Sequence, residues 1–217
     1  NLHANAFDMS GEGGTPLIQA ARNGHAEVLL GLLKAGAVIN DLDLMFHHSA
    51  LMVAALNGHG KSAGLLLDAG ADPMLKDSSG RSALLLAATN NHLSVVIQLL
   101  DAGQKGDQKD SNGNGIWHLM AMSDVENEDN DSSYGSGQKE ESASRIMHEL
   151  ISRGVLLDTF NSAGETALMI AVKRGKVKIL KNLLELGASP DVQTPDGESA
   201  LTLAEASGND ELLKLLR

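Results

Sequence analysis

His47 and His48, with Asp41 and Asp43 just upstream, are the residues whose types best match a metal site. Their spacing argues against one. Adjacent side chains on an extended segment point to opposite faces, so the two imidazoles do not readily close on a single ion. Asp110-Ser111-Asn112-Gly113 opens like a calcium loop, but the position that needs a bidentate Glu falls on Ala121. The chain has no cysteine, which excludes disulfides and thiolate chemistry. It also has no phosphate-binding glycine loop and no Gly-x-Ser-x-Gly elbow. Asn130-Asp131-Ser132 fits a glycosylation sequon, and Ser123 precedes Glu126 at the spacing acidic-directed kinases prefer. Both patterns are short and frequent by chance. No catalytic residue, no metal and no cofactor is expected, and the chain reads as a non-enzyme.

What the chain does carry is a repeated unit. In residues 161–193, Thr166 is placed to cap a helix, because its hydroxyl accepts a bond from an orphan N–H of the first turn. Leu168, Ala171 and Val172 then form one apolar face, and Gly175 ends the helix. A second helix presents Ile179, Leu180, Leu183 and Leu184 on one side, and Gly187 suits a left-handed C-cap. Two helices this short are marginal alone and need neighbours of the same kind. The capping position recurs at Thr15, Ser49, Ser82, Gly115, Thr166 and Ser199, with gaps of 34, 33, 33, 51 and 33 residues. The long gap is one repeat plus about 18 residues, and a period near 33 marks a stacked two-helix solenoid.

Several motifs recur in fixed order within this period. They are Thr15-Pro16-Leu17 with Ala20-Ala21, Gly24-His25, Leu32-Leu33 and Gly36-Ala37. Copies follow as Gly58-His59 with Gly70-Ala71-Asp72, Asn91-His92 with Gly103, and Gly187-Ala188 with Asp191. Together they resemble the ankyrin repeat over about residues 10–217. The resemblance implies an all-α solenoid of helix-turn-helix pairs joined by β-hairpin-like loops, in one elongated domain. About six repeats are expected, at 10–43, 44–76, 77–109, 110–160, 161–193 and 194–217. Residues 1–9, with Leu2, Ala4, Ala6 and Phe7, read as a tail or a capping segment. The resemblance also makes His25, His59, His92 and His118 structural, each hydrogen-bonding backbone between layers.

Two segments depart from the family pattern. The first connection reads Asn40-Asp41-Leu42-Asp43-Leu44-Met45-Phe46-His47-His48, with His47 where the family's turn has Gly. Alternation predicts Leu42, Leu44 and Phe46 on one face of an extended hairpin arm. They either form an exposed interface patch or fold under the neighbouring hairpin or against Phe7. The second departure is residues 124–141, with seven acidic side chains against one Lys and several Ser and Gly. This composition cannot bury enough apolar surface to order itself, so a flexible insertion between the helices of repeat four is expected. It is either a binding element or a tolerated solvated loop. Helix B of that repeat is expected to resume near Ser144, with Ile146, Met147, Leu150 and Ile151 buried. Repeat five carries Lys173, Arg174, Lys176, Lys178 and Lys181, either as a partner for the acidic insertion or as a solvated helix face.

By resemblance, ankyrin stacks grip protein partners through hairpin tips and the inner face of helix A. The matching A-helix positions are Arg22, Asn23, Leu56, Asn57, Thr89, Asn90, Lys173 and Arg174. The tip positions are Leu42, Leu44, Met45, Phe46, His48, Lys76, Ser78, Ser79, Arg81, Asn112, Asn114 and Glu165. The leading expectation is therefore a non-catalytic protein–protein interaction scaffold. The alternative is an inhibitor or immunity-type protein that blocks a partner enzyme with its acidic insertion. A net charge of −11 disfavours nucleic acid and suits a basic protein partner or simple solubility. No apolar run approaches the ~20 residues that span a bilayer, so no membrane partner is expected. A soluble monomer is expected, cytoplasmic by default. The chain opens on Asn1, as expected of a piece or processed form of a longer protein.

Overall fold

The computed structural model describes residues 14–123 and 136–217. The expectations for residues 1–9, for Phe7 as a packing partner, for the sequon at Asn130 and for most of the acidic insertion lie outside the described residues. The described chain holds twelve α-helices, and its one described bridge pair is an isolated antiparallel one, Leu42 with Ser49. Two compact units divide it, Asn1–Lys105 and Gly106–Arg217.

The first unit is a stack of three helix pairs: α1 (Pro16–Arg22) with α2 (Ala26–Lys34), α3 (Ala50–Leu56) with α4 (Gly60–Asp68), and α5 (Ala83–Thr89) with α6 (Leu93–Asp101). The leading helices pack α1 on α3 on α5, and the trailing helices pack α2 on α4 on α6. Short leading helices survive here because they are buried almost all round. In α3, every residue from Ala50 to Ala55 is at most 1% exposed. The Ala residues let neighbouring layers approach closely, while Leu51, Met52, Leu84 and Leu85 fill the space between them.

In the second unit, the pairs are α7 (Ile116–Met122) with α8 (Ser136–Ser152), α9 (Ala167–Lys173) with α10 (Val177–Glu185), and α11 (Ala200–Ser207) with α12 (Asp210–Leu216). Here α7 packs on α9 and α9 on α11. Trp117 takes the core Leu position and is buried, as are Ile146, Met147 and Leu150 of α8. Helix α8 begins at Ser136, not near Ser144, so residues 136–141 of the expected flexible insertion are helical. Their Gln-Lys-Glu-Glu run consists of good helix formers that extend an already nucleated helix N-terminally at little cost.

Each leading helix starts at the expected cap. The hydroxyls of Thr15, Ser49, Ser82, Thr166 and Ser199 accept the amides of Ile18, Met52, Leu85, Met169 and Thr202. Gly115 has no hydroxyl to offer, and α7 is fixed differently. The Gly115 N–H donates to His118 Nδ1 at 3.2 Å, so the imidazole carries its proton on Nε2, which donates to the Glu165 carbonyl at 3.0 Å. Burial pushes the His118 imidazole below its ordinary pKa and keeps it in this neutral form.

His59 and His92 lock one layer to the next. His59 Nε2 lies 3.0 Å from the Arg22 carbonyl, and His92 Nε2 lies 3.0 Å from the Leu56 carbonyl. Each imidazole lies over the glycine of the preceding layer. Gly58 has φ of +72°, and a Cβ there would sit 2.4 Å from His92 Nδ1, so only glycine fits.

Candidate functional site

Five hairpin tips share one backbone device. The first residue of each tip and the residue before the next cap are paired through an N–H to carbonyl bond: Asp43 to His48, Asp77 to Arg81, Asp110 to Asn114, Asn161 to Glu165 and Thr194 to Glu198. In four tips the pair spans four positions. In the first it spans five, so this tip carries one extra residue, which also accounts for the 34-residue gap before Ser49. The extra length bulges out as the turn Leu44-Met45-Phe46, followed by His47 at φ +56° in the left-handed region the other tips give to glycine.

Acidic side chains build these tips from the inside. Asp77 Oδ1 accepts the amides of Ser79 and Arg81 at 2.9 and 2.8 Å, and its Oδ2 accepts Arg81 Nε at 2.8 Å. Asp110 holds the amides of Asn112 and Asn114 in the same way, which occupies the carboxylate that the calcium-loop resemblance depended on. In the first tip, Asp43 Oδ1 accepts the Phe46 amide at 2.7 Å. The Phe46 carbonyl then accepts the Ser78 amide at 2.9 Å, which ties the first tip to the second.

The extended-arm expectation is overturned here. Leu42 pairs with Ser49 in the bridge and is half-buried, while Leu44 and Phe46 belong to a turn and not to a strand. Leu44, Met45 and Phe46 are 65%, 56% and 47% exposed. They do not fold under the neighbouring hairpin, because the extra residue lifts them away from the ladder.

Two predicted tip residues face inward. His48 is buried, with Nδ1 3.7 Å from Asp43 Oδ2 and Nε2 3.5 Å from Asp77 Oδ2, and its ring stacks on Phe46 at 5.4 Å between centroids. Its side chain supports the tip from beneath and is not offered to a partner. Burial lowers the His48 pKa, against the upward pull of Asp43 and Asp77. The ring nitrogens face different carboxylates on different tips, and no group of three potential metal ligands exists among the described residues. Asn114 is also buried, between Asp110 and the Asn161 amide that donates to it at 3.0 Å.

The other predicted positions are accessible to varying degrees. Lys76, Ser78, Ser79 and Asn112 are exposed, and Arg81 is half-buried against Asp77. At the ends of the leading helices, Asn23, Asn57 and Asn90 each turn their amide back onto the carbonyl four residues earlier, at Gln19, Val53 and Leu86. Those amides cap their own helices and leave the side-chain oxygens for other contacts. Thr89 likewise donates to the Leu85 carbonyl. Arg22 and Leu56 are half-buried beside them. In the second unit, Lys173 pairs with Glu165 at 2.7 Å, and Arg174 donates to the Met122 carbonyl at 2.9 Å. The bonded Lys173 ammonium holds the Glu165 carboxyl below its ordinary value, and Glu165 raises Lys173 in turn. Lys173 is therefore engaged within its own repeat, and Arg174 with the end of α7 in the repeat before it.

Sequence reasoning missed the inward roles of Asp43 and Asp77. The signal was present, since an Asp or its Asn or Thr substitute opens every tip at a nearly fixed distance before the cap.

Family models for ankyrin repeats match residues 17–110 and 51–127, and a second ankyrin-repeat model matches 150–204. This chain belongs to the ankyrin repeat family. An ankyrin repeat-containing protein of Treponema pallidum (strain Nichols) is 41% identical over 70 residues, which cover 32% of this chain and 24% of that protein. The chain thus matches only about a quarter of that relative's length. A solved ankyrin repeat domain from Acinetobacter baumannii AYE superposes with a TM-score of 0.70 at 27% identity, covering 93% of this chain and 95% of that one. Ankyrin repeats generally mediate protein–protein interaction, and no catalytic family is indicated. Among the described residues, no helix is long and apolar enough to cross a membrane.

Proposed function

We propose that this ankyrin repeat domain is a protein-binding scaffold whose main docking element is the first tip. The observation that carries this reading is the exposed run Leu44-Met45-Phe46, set on a tip one residue longer than its neighbours. Apart from the Phe46 stack on His48, these three consecutive large apolar side chains face solvent, and such a run is the composition that a partner desolvates. Ser78, Ser79 and Lys76 on the adjoining tip supply polar register beside it. The Asp43 and Asp77 carboxylates of these two tips point inward, to the turn amides, so neither adds negative charge to the apolar run despite the acidity of the whole chain. This fits an apolar patch on the partner better than the basic surface that net charge alone suggested.

The test is a pull-down from a lysate with the domain as bait, followed by affinity measurement on the captured partner. Changing Met45 and Phe46 together to Ser is expected to weaken binding by about 2 kcal/mol or more, with a melting temperature lowered only by loss of the Phe46–His48 stack and unchanged in Met45→Ser alone. Undiminished affinity removes the proposal. Deleting residues 124–135 in parallel addresses the inhibitor alternative, because a plug that works through the acidic segment loses its inhibition while a tip-docked scaffold keeps its affinity.

A further inference from the structure

We propose that Met45 is an oxidation site that switches the first tip from apolar to polar without unfolding the domain. Its consequence for partner binding rests on the docking reading above. With no cysteine in the chain, methionine is its only oxidisable sulfur, and there are eight methionines. Met9 lies outside the described residues and Met122 is half-buried, while the other six fall into two groups. Met52, Met120, Met147 and Met169 are at most 3% exposed, whereas Met45 and Met74 are 56% and 55% exposed. Met169 is held further by the Thr166 amide, which points at its sulfur at 3.4 Å.

The reaction needs only a peroxide. The Met45 sulfur donates an electron pair to one peroxide oxygen, an S–O bond forms as the O–O bond breaks, and the second oxygen leaves as water after taking up a proton. The sulfur is oxidised by two electrons and the peroxide is reduced by two. The product is a sulfoxide, polar and reversible by methionine sulfoxide reductases. At Met45 it places a strong acceptor in the middle of the exposed apolar run, between Leu44 and Phe46.

The tip survives the change because nothing that shapes it passes through the Met45 side chain. The Phe46 amide is held by Asp43, the Phe46 carbonyl by Ser78, the Phe46 ring by His48, and the ends of the tip by the Asp43–His48 pair. Oxidation of a buried methionine such as Met52 would instead place oxygen in a close-packed layer and destabilise it.

The experiment exposes the full chain carrying Met9→Leu, Met74→Leu and Met122→Leu to graded hydrogen peroxide, with peptide mass spectrometry of each remaining methionine. Retention on a phenyl column and the helical circular dichroism signal are measured on the same samples. Met45 is expected to become sulfoxide about tenfold faster than Met52, Met120, Met147 or Met169. Retention should fall in step, with unchanged dichroism, and neither treatment nor dose should alter retention of the same protein with Met45→Leu added. Oxidation of Met45 at the buried rate, unchanged retention once Met45 is sulfoxide, or loss of helical signal at that point overturns the proposal. None of these readouts uses the binding partner, so failure of the docking reading shows separately, as undiminished affinity of the Met45→Ser/Phe46→Ser protein.

Discussion

The first and second tips are built on one ladder and end with opposite surfaces. In the second, Asp77 gathers two backbone amides and the Arg81 guanidinium, Gly80 takes the left-handed turn position at φ +77°, and Ser78 and Ser79 meet the solvent. In the first, Asp43 gathers a single amide, a histidine takes the left-handed position, and Leu44, Met45 and Phe46 meet the solvent. His48 stands where Arg81 stands in the second tip and fills the space between the two carboxylates. One inserted residue thus turns a self-satisfied polar turn into a raised apolar one. Its neighbour, bonded through Ser78, serves as its foundation.

That contrast predicts unequal costs. Asp77→Ala should destabilise the domain by about 2–3 kcal/mol, since it strips partners from two turn amides and a guanidinium beside a buried imidazole. Asp43→Ala should cost clearly less, because one amide depends on it. Chemical denaturation of the two variants checks the order, and equal losses would mean that the tips are not built differently.

Next in size is the binding loss of about 2 kcal/mol or more expected for Met45→Ser with Phe46→Ser. The matching control, Ser78→Ala with Ser79→Ala, should change affinity by well under 1 kcal/mol. Equal losses from both pairs would assign recognition to the polar tip as much as to the apolar one.

Smaller effects separate the turn residues. Gly80→Ala forces a Cβ into the left-handed region and should cost about 1 kcal/mol. His47→Gly relieves the same strain but adds freedom to the unfolded chain, so a net gain of about 0.5 kcal/mol is expected in melting experiments. A loss on His47→Gly would show that the exposed imidazole holds the tip.

The smallest effect is on pH dependence. Burial depresses the His48 pKa in the folded chain, so its neutral form is the one that folding favours. The corresponding stability is complete above the unfolded value near 6.5 and is lost as pH falls through the lower folded value. His118 contributes with the same sign. Proton NMR of the His48 ring should therefore give a midpoint below about 6.5, and His48→Gln should flatten part of the acid-side decline in melting temperature. A midpoint above the ordinary value would mean that Asp43 and Asp77 outweigh burial.

Much of this architecture was legible in the residues. The capping hydroxyls, the 33-residue spacing and the Gly-His pairs fix local conformation through contacts a few residues apart or one repeat away. Such contacts leave a periodic trace, and Thr15, Gly58, His92 and Gly187 all sit where that trace placed them. His47 and Asn91 were readable for the same reason, as left-handed positions at φ +56° and +60°.

The character of the first tip was only half legible. Its apolar run was visible in the sequence, but alternation along a strand misplaced it, because a single inserted residue changes an arm into a turn. His48 and Asn114 were misjudged for a related reason. Both precede a helix cap at a tip, and whether such a side chain reaches outward or inward depends on the neighbouring repeat, where Asp77 and Asn161 wait for them.

The sequence by itself determined the repeat, its caps, its left-handed turns and the absence of cysteine chemistry, because each depends on residue type and short spacing. Only the tertiary structure decided which side chains remain exposed at the tips, and which methionines a peroxide can reach. Those properties arise when one layer covers another, and no single repeat contains the residues that do the covering.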